Sequence, residues 1–325
     1  MPSWMSWSRE ELPNVESVRH LTFSGAAFSV RSDPYGLVLP LLCRMPGIRS
    51  LQLMVHGVPD PLPSNIKFES TLPHFEQLES IVFGDVPLVL VHALVRKAGP
   101  KLKRLVFTGN PAHPRSAVLQ ITEEAQSQRS FASSNATTMT NDYSERIPHR
   151  VDFAAVLFDL AFRPIRIREL WVIPFLEPYS PAHAARIGRG AHFIPTFSLF
   201  SQMKSLFIDR WIFSCMMSRS IPLPGSIRAL NVLCNGWDAH DGQIAALGEH
   251  CVRVDQAFAI LGERLRSNPN ESRSLRTIQL AYLRHGRTAD ELAAYMRTDE
   301  WMGFKAACTC RRIRFYAGPR DEPDW

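Results

Sequence analysis

The sequence is short of cysteine and of long apolar runs, and each shortage excludes a class of protein. Its 325 residues include only 6 cysteines at irregular spacings, too few for a disulfide framework. The longest apolar run, 86–95, is about half the roughly 18–20 residues that a membrane helix needs, and Pro87 and His92 interrupt it. Glycine (17) and proline (24) are near average usage, which excludes a collagen-like or low-complexity chain.

A large excess of one sign of charge is also lacking. The 37 basic and 31 acidic residues leave a formal net charge of +6, which is small for this length and does not favour nucleic acid as a partner. Residues 1–11 carry two tryptophans and several charges instead of the apolar core of a secretion signal. We therefore expect a cytoplasmic or nuclear protein with reduced thiols and no membrane span.

One six-residue pattern recurs nine times along the chain: apolar, basic, any, apolar, any, apolar. The first copy is Val18-Arg19-His20-Leu21-Thr22-Phe23. The nine copies begin at Val18, Ile48, Leu78, Leu102, Ile167, Met203, Ile227, Leu275 and Cys310. Alternation at positions four to six is typical of a short strand with one buried face, and the first position requires a bend before it.

This L-x-x-L-x-L pattern resembles the leucine-rich-repeat family. The resemblance covers roughly residues 14–316 and implies a right-handed α/β solenoid. In such a solenoid, a curved parallel sheet of about nine strands carries helices and loops on its convex side. Irregular repeat lengths of this kind are similar to the degenerate repeats of fungal F-box/leucine-rich-repeat proteins, although no F-box is visible here. We expect an N-terminal extension at 1–13, a flexible polar insertion near 111–148 and a C-terminal tail at 317–325.

Helices are expected between the strands. Asp85 and Pro87 begin one that ends before Gly99, and Asp255 begins another that places Phe258 on its apolar face. Further helices are expected from Asp152 to Pro164 and after Thr288, whose capping box includes Glu291.

Two surfaces are candidate binding sites. The resemblance implies that positions three and five face the concave surface, and position five is apolar in the central repeats. The predicted patch contains Val82, Val106, Trp171 and Phe207, with Asn231 beside them. An apolar centre with a polar rim is typical of a protein-binding patch. The alternative is that the long insertion, or a helix, covers it.

The second candidate is a basic edge. Position two is basic in eight of the nine copies, and neighbouring strands lie about 4.8 Å apart, so the pattern predicts a stack of like charges. The residues are Arg19, Arg49, Lys103, Arg168, Lys204, Arg228, Arg276 and Arg311, with Glu79 as the exception. This edge is either a solvated rim or a stripe for an acidic partner, RNA or phospholipid.

Candidate catalytic residues are few. Asp238, His240 and Asp241 follow the seventh strand and predict, as an alternative, a metal-dependent or hydrolytic enzyme. Cys308 and Cys310 form a C-x-C, but we assign Cys310 to an apolar core position and expect no metal site. Gly188-Arg189-Gly190 lacks the context of a nucleotide loop.

We therefore expect a non-enzymatic module without a cofactor. It binds another protein through the concave or edge surface of the repeat sheet, and the resemblance implies ubiquitin-ligase substrates or adaptors as one class of partner.

Overall fold

A computed structural model of the chain describes residues 15, 17–25, 40–55, 68–84, 86, 88–108, 157, 160–161, 166–173, 194–234, 252–268, 270–282 and 296–319. The predicted extension at 1–13 and insertion near 111–148 lie outside these ranges.

Nine described strands form a single, entirely parallel sheet in which the order of the strands is the order of the chain. The strands are β1 (His20–Gly25), β2 (Ser50–Val55), β3 (Ser80–Gly84), β4 (Arg104–Thr108), β5 (Glu169–Ile173), β6 (Ser205–Asp209), β7 (Ala229–Cys234), β8 (Thr277–Tyr282) and β9 (Arg314–Pro319). Among these strands β1 pairs only with β2 and β9 only with β8, so the sheet is open. The predicted α/β class with a parallel sheet of about nine strands is confirmed.

The repeat motif sets the register of the first eight strands. Leu21 pairs with Leu51, Leu51 with Ile81, and the same match of fourth positions continues to Ile278. Fourth and sixth positions pack into the main core, as alternation in a half-buried strand requires. First positions such as Ile48 and Leu102 join the same core, so the predicted bend before each strand is confirmed.

Position two is where each strand is joined to the next. The carbonyl oxygen of Arg168 accepts hydrogen bonds from two consecutive N–H groups of the next repeat, Lys204 (2.7 Å) and Ser205 (2.9 Å). The same double acceptance occurs at seven successive junctions, from the Arg19 carbonyl to the Arg228 carbonyl. Because these hydrogen bonds use only backbone atoms, the side chain at position two takes no part in joining the strands.

Five α-helices and one 3₁₀ helix lie between the described strands. They are α1 (Phe68–Thr71), α2 (Leu88–Lys97), the 3₁₀ helix (Ile194–Leu199), α3 (Arg210–Ser218), α4 (Val254–Ser267) and α5 (Asp299–Cys310). The helices predicted after Asp85 and at Asp255 are confirmed as α2 and α4. Residues 157 and 160–161 are helical, as predicted after Asp152, whereas Thr288 and Glu291 lie outside the described residues.

Helices α1, α3 and α5 and the 3₁₀ helix were not predicted, and α3 and α5 are the longest of these. Helix α3 begins at Arg210 directly after β6, so the only start signal in the sequence is Asp209, which also ends the strand. Helix α5 packs on α4, where Phe258 lies between Phe213 of α3 (4.6 Å between ring centroids) and Trp301 of α5 (4.8 Å). The signals for α5 were Asp299 and Glu300 in its first turn and buried apolar residues at helical spacing, beginning with Trp301.

The ninth copy of the motif was placed two residues too early. Ile278 pairs with Phe315, not with Ile313, because α5 continues to Cys310 and Arg312 then adopts a left-handed conformation with φ 56°. The Ile313 N–H closes the helix on the Cys308 carbonyl at 2.8 Å. Cys310 is therefore exposed at the end of a helix instead of occupying a core position, and β9 extends to Pro319, three residues into the predicted tail.

Substitution of one glycine in each of the paired helices α4 and α5 is predicted to change stability in opposite directions. A Cβ at Gly262 would lie 3.0 Å from the Cα of Phe304, whereas a Cβ at Gly303 would meet only the tip of the Arg266 side chain at 3.8 Å. We expect Gly262→Val to lower the free energy of unfolding by about 1–3 kcal/mol through overpacking. Gly303→Ala is expected to raise it by about 0.5–1 kcal/mol through helix propensity. Urea denaturation followed by circular dichroism measures both, and equal effects would contradict the close approach at Gly262.

Candidate functional site

The predicted patch residues lie side by side on the sheet face opposite the main core. Val82 pairs with Val106, Val106 with Trp171, and the row continues through Phe207 to Asn231. The predicted adjacency of these residues is therefore confirmed.

The patch is mostly buried, which agrees with the alternative of a covered patch and not with an exposed binding surface. Val106 is fully buried, Val82 and Trp171 are buried, Asn231 is 8% exposed, and Phe207 is half-buried. The patch is part of a second apolar cluster that also contains Ile173, Leu233 and Ala281, two residues further along their strands. Apolar residues on both faces are typical of parallel strands buried on both sides, and the four apolar seventh positions, Met54, Ile173, Leu233 and Ala281, were the signal that the motif analysis overlooked.

A polar and aromatic group borders this cluster where β4 and β5 begin. The Glu169 carboxylate accepts hydrogen bonds from Arg104 Nε (3.0 Å) and from Trp171 Nε1 (2.6 Å). The Arg104 guanidinium lies 5.4 Å from the centre of the Trp171 ring, which stacks on Phe207 at 3.8 Å between centroids. These contacts occupy the indole N–H and the Phe207-facing side of the indole, so Trp171 is held in the structure.

The predicted basic edge is present in seven of its eight members. Position-two residues of β1 to β8 follow one another in register at the amino ends of the strands. We call seven of them the basic ladder: Arg19, Arg49, Lys103, Arg168, Lys204, Arg228 and Arg276, of which all but the half-buried Lys204 are exposed. Glu79 occupies the remaining step, between Arg49 and Lys103.

Charge compensation along the ladder is uneven. Lys103 Nζ lies 3.5 Å from the Glu79 carboxylate, an exposed pair that adds little stability. The side chains of Arg168, Lys204 and Arg228 make no hydrogen bond or ion pair with any residue of the described ranges. Two unit charges about 4.8 Å apart repel by roughly 0.9 kcal/mol in bulk water, so this run of like charges favours binding of an anion.

Arg311, the eighth predicted member, does not belong to the ladder. By register Ile313 stands opposite Arg276, and Arg311 is the C-cap residue of α5. Its guanidinium donates hydrogen bonds to the carbonyls of Leu265 (2.9 Å) and Glu271 (3.3 Å), near the end of α4. Arg311 therefore joins two packed helices, because a guanidinium can satisfy carbonyls that the helix leaves unpaired.

A buried polar group at the carboxyl ends of β6 and β7 was not predicted. Asp209 and Arg210 are both buried, and their charges act in opposite directions on the Cys234 thiol. Burial raises the pKa of Cys234 to about 12, with Arg210 lowering and Asp209 raising it. Burial likewise raises the pKa of Cys308 to about 12. Both thiols are thus neutral packing groups, not nucleophiles.

The catalytic alternative rests on residues outside the described ranges. Asp238, His240 and Asp241 are among them, as are Gly188 and Gly190. Nowhere in the described segments do three or more His, Cys, Asp or Glu side chains come together as metal ligands could. None of the helices in this described part of the chain combines the length and apolar character that membrane crossing requires.

Comparison of the sequence with known protein families and with curated proteins finds no match. The chemistry of the chain must therefore be argued from its own residues.

The cysteines give a prediction that depends on pH. In native protein at pH 8, iodoacetamide should label exposed Cys310, and Cys234 and Cys308 only after denaturation. Because these two thiols ionise near pH 9 when unfolded and near 12 when folded, their contribution to stability is complete below pH 9. It is lost as the pH rises from 9 towards 12, so the free energy of unfolding should fall over that interval. Peptide mapping by mass spectrometry and urea titrations at several pH values test this, and rapid native labelling of Cys308 would contradict it.

Proposed function

We propose that this chain is a non-enzymatic interaction module of the leucine-rich-repeat type, which recognises another protein through the amino edge of its sheet. The proposal includes the finer architecture of that family: a right-handed solenoid with a curved sheet and with helices and loops on the convex side. The sequential parallel strands support it, as do first and fourth positions that bury into one core.

The observation that carries the proposal is the contrast between the two surfaces predicted from the sequence. The apolar row on the second face is buried at Val82, Val106 and Trp171, whereas the position-two row is exposed. A partner that approaches the described sheet can reach the basic ladder without displacing packed apolar side chains. This favours the edge over the centre of the sheet face as the binding surface.

Backbone hydrogen bonds join the strands at position two, so the side chains along this edge can differ without loss of the sheet and can serve binding. Backbone atoms alone hold each strand to the next at position two, so any residue with a backbone N–H, and therefore any except proline, is compatible with the joint. Glu79 shows this, since its carbonyl accepts the same two hydrogen bonds, from Lys103 (2.9 Å) and Arg104 (3.1 Å), as the basic members do. Basic residues at the other seven steps are therefore not required by the sheet itself.

The test is capture of partners by the full chain and two variants of equal net charge. The edge variant is Arg168→Glu/Arg228→Glu, and the matched control is Lys97→Glu/Arg297→Glu, which reverses two charges outside the ladder. We expect quantitative mass spectrometry to find a protein that the parent and the control retain and that the edge variant loses about tenfold or more. The resemblance makes ubiquitin-ligase substrates and adaptors the first class to look for.

The deciding measurement is binding of the purified partner to the parent and to each variant. The captured protein, purified and mixed with the parent, should form a stoichiometric complex in analytical ultracentrifugation. Thermal melting of the edge variant should match the parent, because Arg168 and Arg228 are exposed. The control should lose about 0.3–1 kcal/mol, because Lys97→Glu places an acid in the last turn of α2, and its retention of the partner is then the stricter comparison. The proposal fails if no purified protein forms such a complex, or if complexes form equally well with the edge variant. Trp171→Ala is unsuitable as a probe, because truncating a buried tryptophan costs about 3–5 kcal/mol of stability.

A further inference from the structure

We propose that the basic ladder binds an extended acidic segment of the partner polypeptide, laid across the strands with alternate carboxylates facing the ladder. This inference rests on the proposed function, because it names the chemistry of what the module recognises.

The middle of the ladder is the strongest part of the site. Arg168, Lys204 and Arg228 occupy consecutive strands, and their side chains have no acidic or hydrogen-bonding partner among the described residues. On one side, Lys103 is already paired with Glu79. On the other, the Arg276 guanidinium donates to the carbonyls of Arg273 and Leu275, both at 3.1 Å. Three neighbouring cations therefore lack compensation at one place, and carboxylates from another chain can supply it.

The dimensions fit an extended peptide. The eight positions from Arg19 to Arg276 are separated by seven intervals of about 4.8 Å and span roughly 34 Å. An extended chain covers roughly 3.3–3.6 Å per residue, so about ten residues cross the whole edge. The side chains that face the edge recur roughly every 7 Å, so about five carboxylates are shared among the cations of the ladder without a one-to-one match. Five of the seven ladder residues are arginines, whose planar guanidinium groups bind carboxylates through two parallel hydrogen bonds.

Acids within and beside the ladder favour a polypeptide over a nucleic acid. Glu79 interrupts the ladder, and Glu169, which follows Arg168 in the chain, holds its carboxylate 3.0 Å from Arg104 Nε at the start of β5. A nucleic acid carries a phosphate at every unit and would meet these carboxylates, whereas a polypeptide can place a neutral residue opposite each. The nearest aromatic rings, Trp171 and Phe207, are stacked on one another at 3.8 Å instead of forming an exposed platform for bases.

The experiment measures binding of three labelled probes to the full chain by fluorescence anisotropy at low and moderate salt. The probes are a ten-residue peptide of alternating Glu and Ser, the matching peptide of Lys and Ser, and a ten-nucleotide oligouridylate. We expect the Glu–Ser peptide to bind, with an affinity that falls as salt rises, and the Lys–Ser peptide not to bind.

Variants locate the peptide on the ladder. Arg168→Glu/Arg228→Glu should weaken Glu–Ser binding at least about tenfold, and Arg168→Gln/Arg228→Gln less, while Lys97→Glu/Arg297→Glu stays within about twofold. Glu79→Gln should tighten binding about two- to threefold, because it removes the one carboxylate of the row and releases Lys103. A gain from removing an acid is an effect that unfolding cannot produce.

Three results overturn the inference: no peptide binding at low salt, equal weakening by the ladder reversal and its matched control, or tighter binding of oligouridylate than of the peptide. Each is distinguishable from failure of the proposed function. If a purified partner still requires Arg168 and Arg228 but the Glu–Ser peptide does not bind, the proposed interaction module stands. Only the proposal of an acidic segment is then overturned.

Discussion

The position-two carbonyl is the acceptor on which the rest of the sheet depends. Each of seven such oxygens takes hydrogen bonds from two consecutive N–H groups of the next repeat, at the point where the chain bends into the strand. Because the acceptor and both donors recur at the same motif positions, a strand cannot slip by one residue without exchanging its buried and exposed side chains. The bend, the register and the assignment of faces are thus consequences of one backbone arrangement.

That arrangement has an electrostatic consequence as well as a packing one. The register that aligns leucine and isoleucine side chains in the core also aligns the position-two residues of neighbouring strands. In most globular proteins like charges are scattered over the surface, but here the pairing of strands holds Arg168, Lys204 and Arg228 in one row. The small net charge of +6 therefore coexists with a strongly basic edge.

Much of the sheet could be predicted from the sequence, because period-two alternation and the bend residue are local signals. Seven of the eight strand registers follow from residues such as Leu51 and Ile278. The eighth, of β8 with β9, did not, since Cys310 and Ile313 match the motif while the cap of α5 delays the strand, and a helix end is decided by packing on α4. The sequence left the burial of Trp171 open for a similar reason: alternation identifies two faces but cannot say that both are buried. Arg311 fits the basic pattern by sequence, and only the carbonyls near the end of α4 reveal its role.

The junction between β4 and β5 shows how much chain such a sheet can accept between neighbouring strands. The segment 109–168 contains 60 residues, against 19 in the segment 85–103 that joins β3 to β4, yet Leu105 pairs with Leu170 in the same register as Ile81 with Leu105. Loop-closure entropy grows only with the logarithm of length, so the longer connection costs about 1 kcal/mol more than the shorter one. A repeat protein built in this way can acquire long segments between strands at small thermodynamic cost, with the order and alignment of its sheet unchanged.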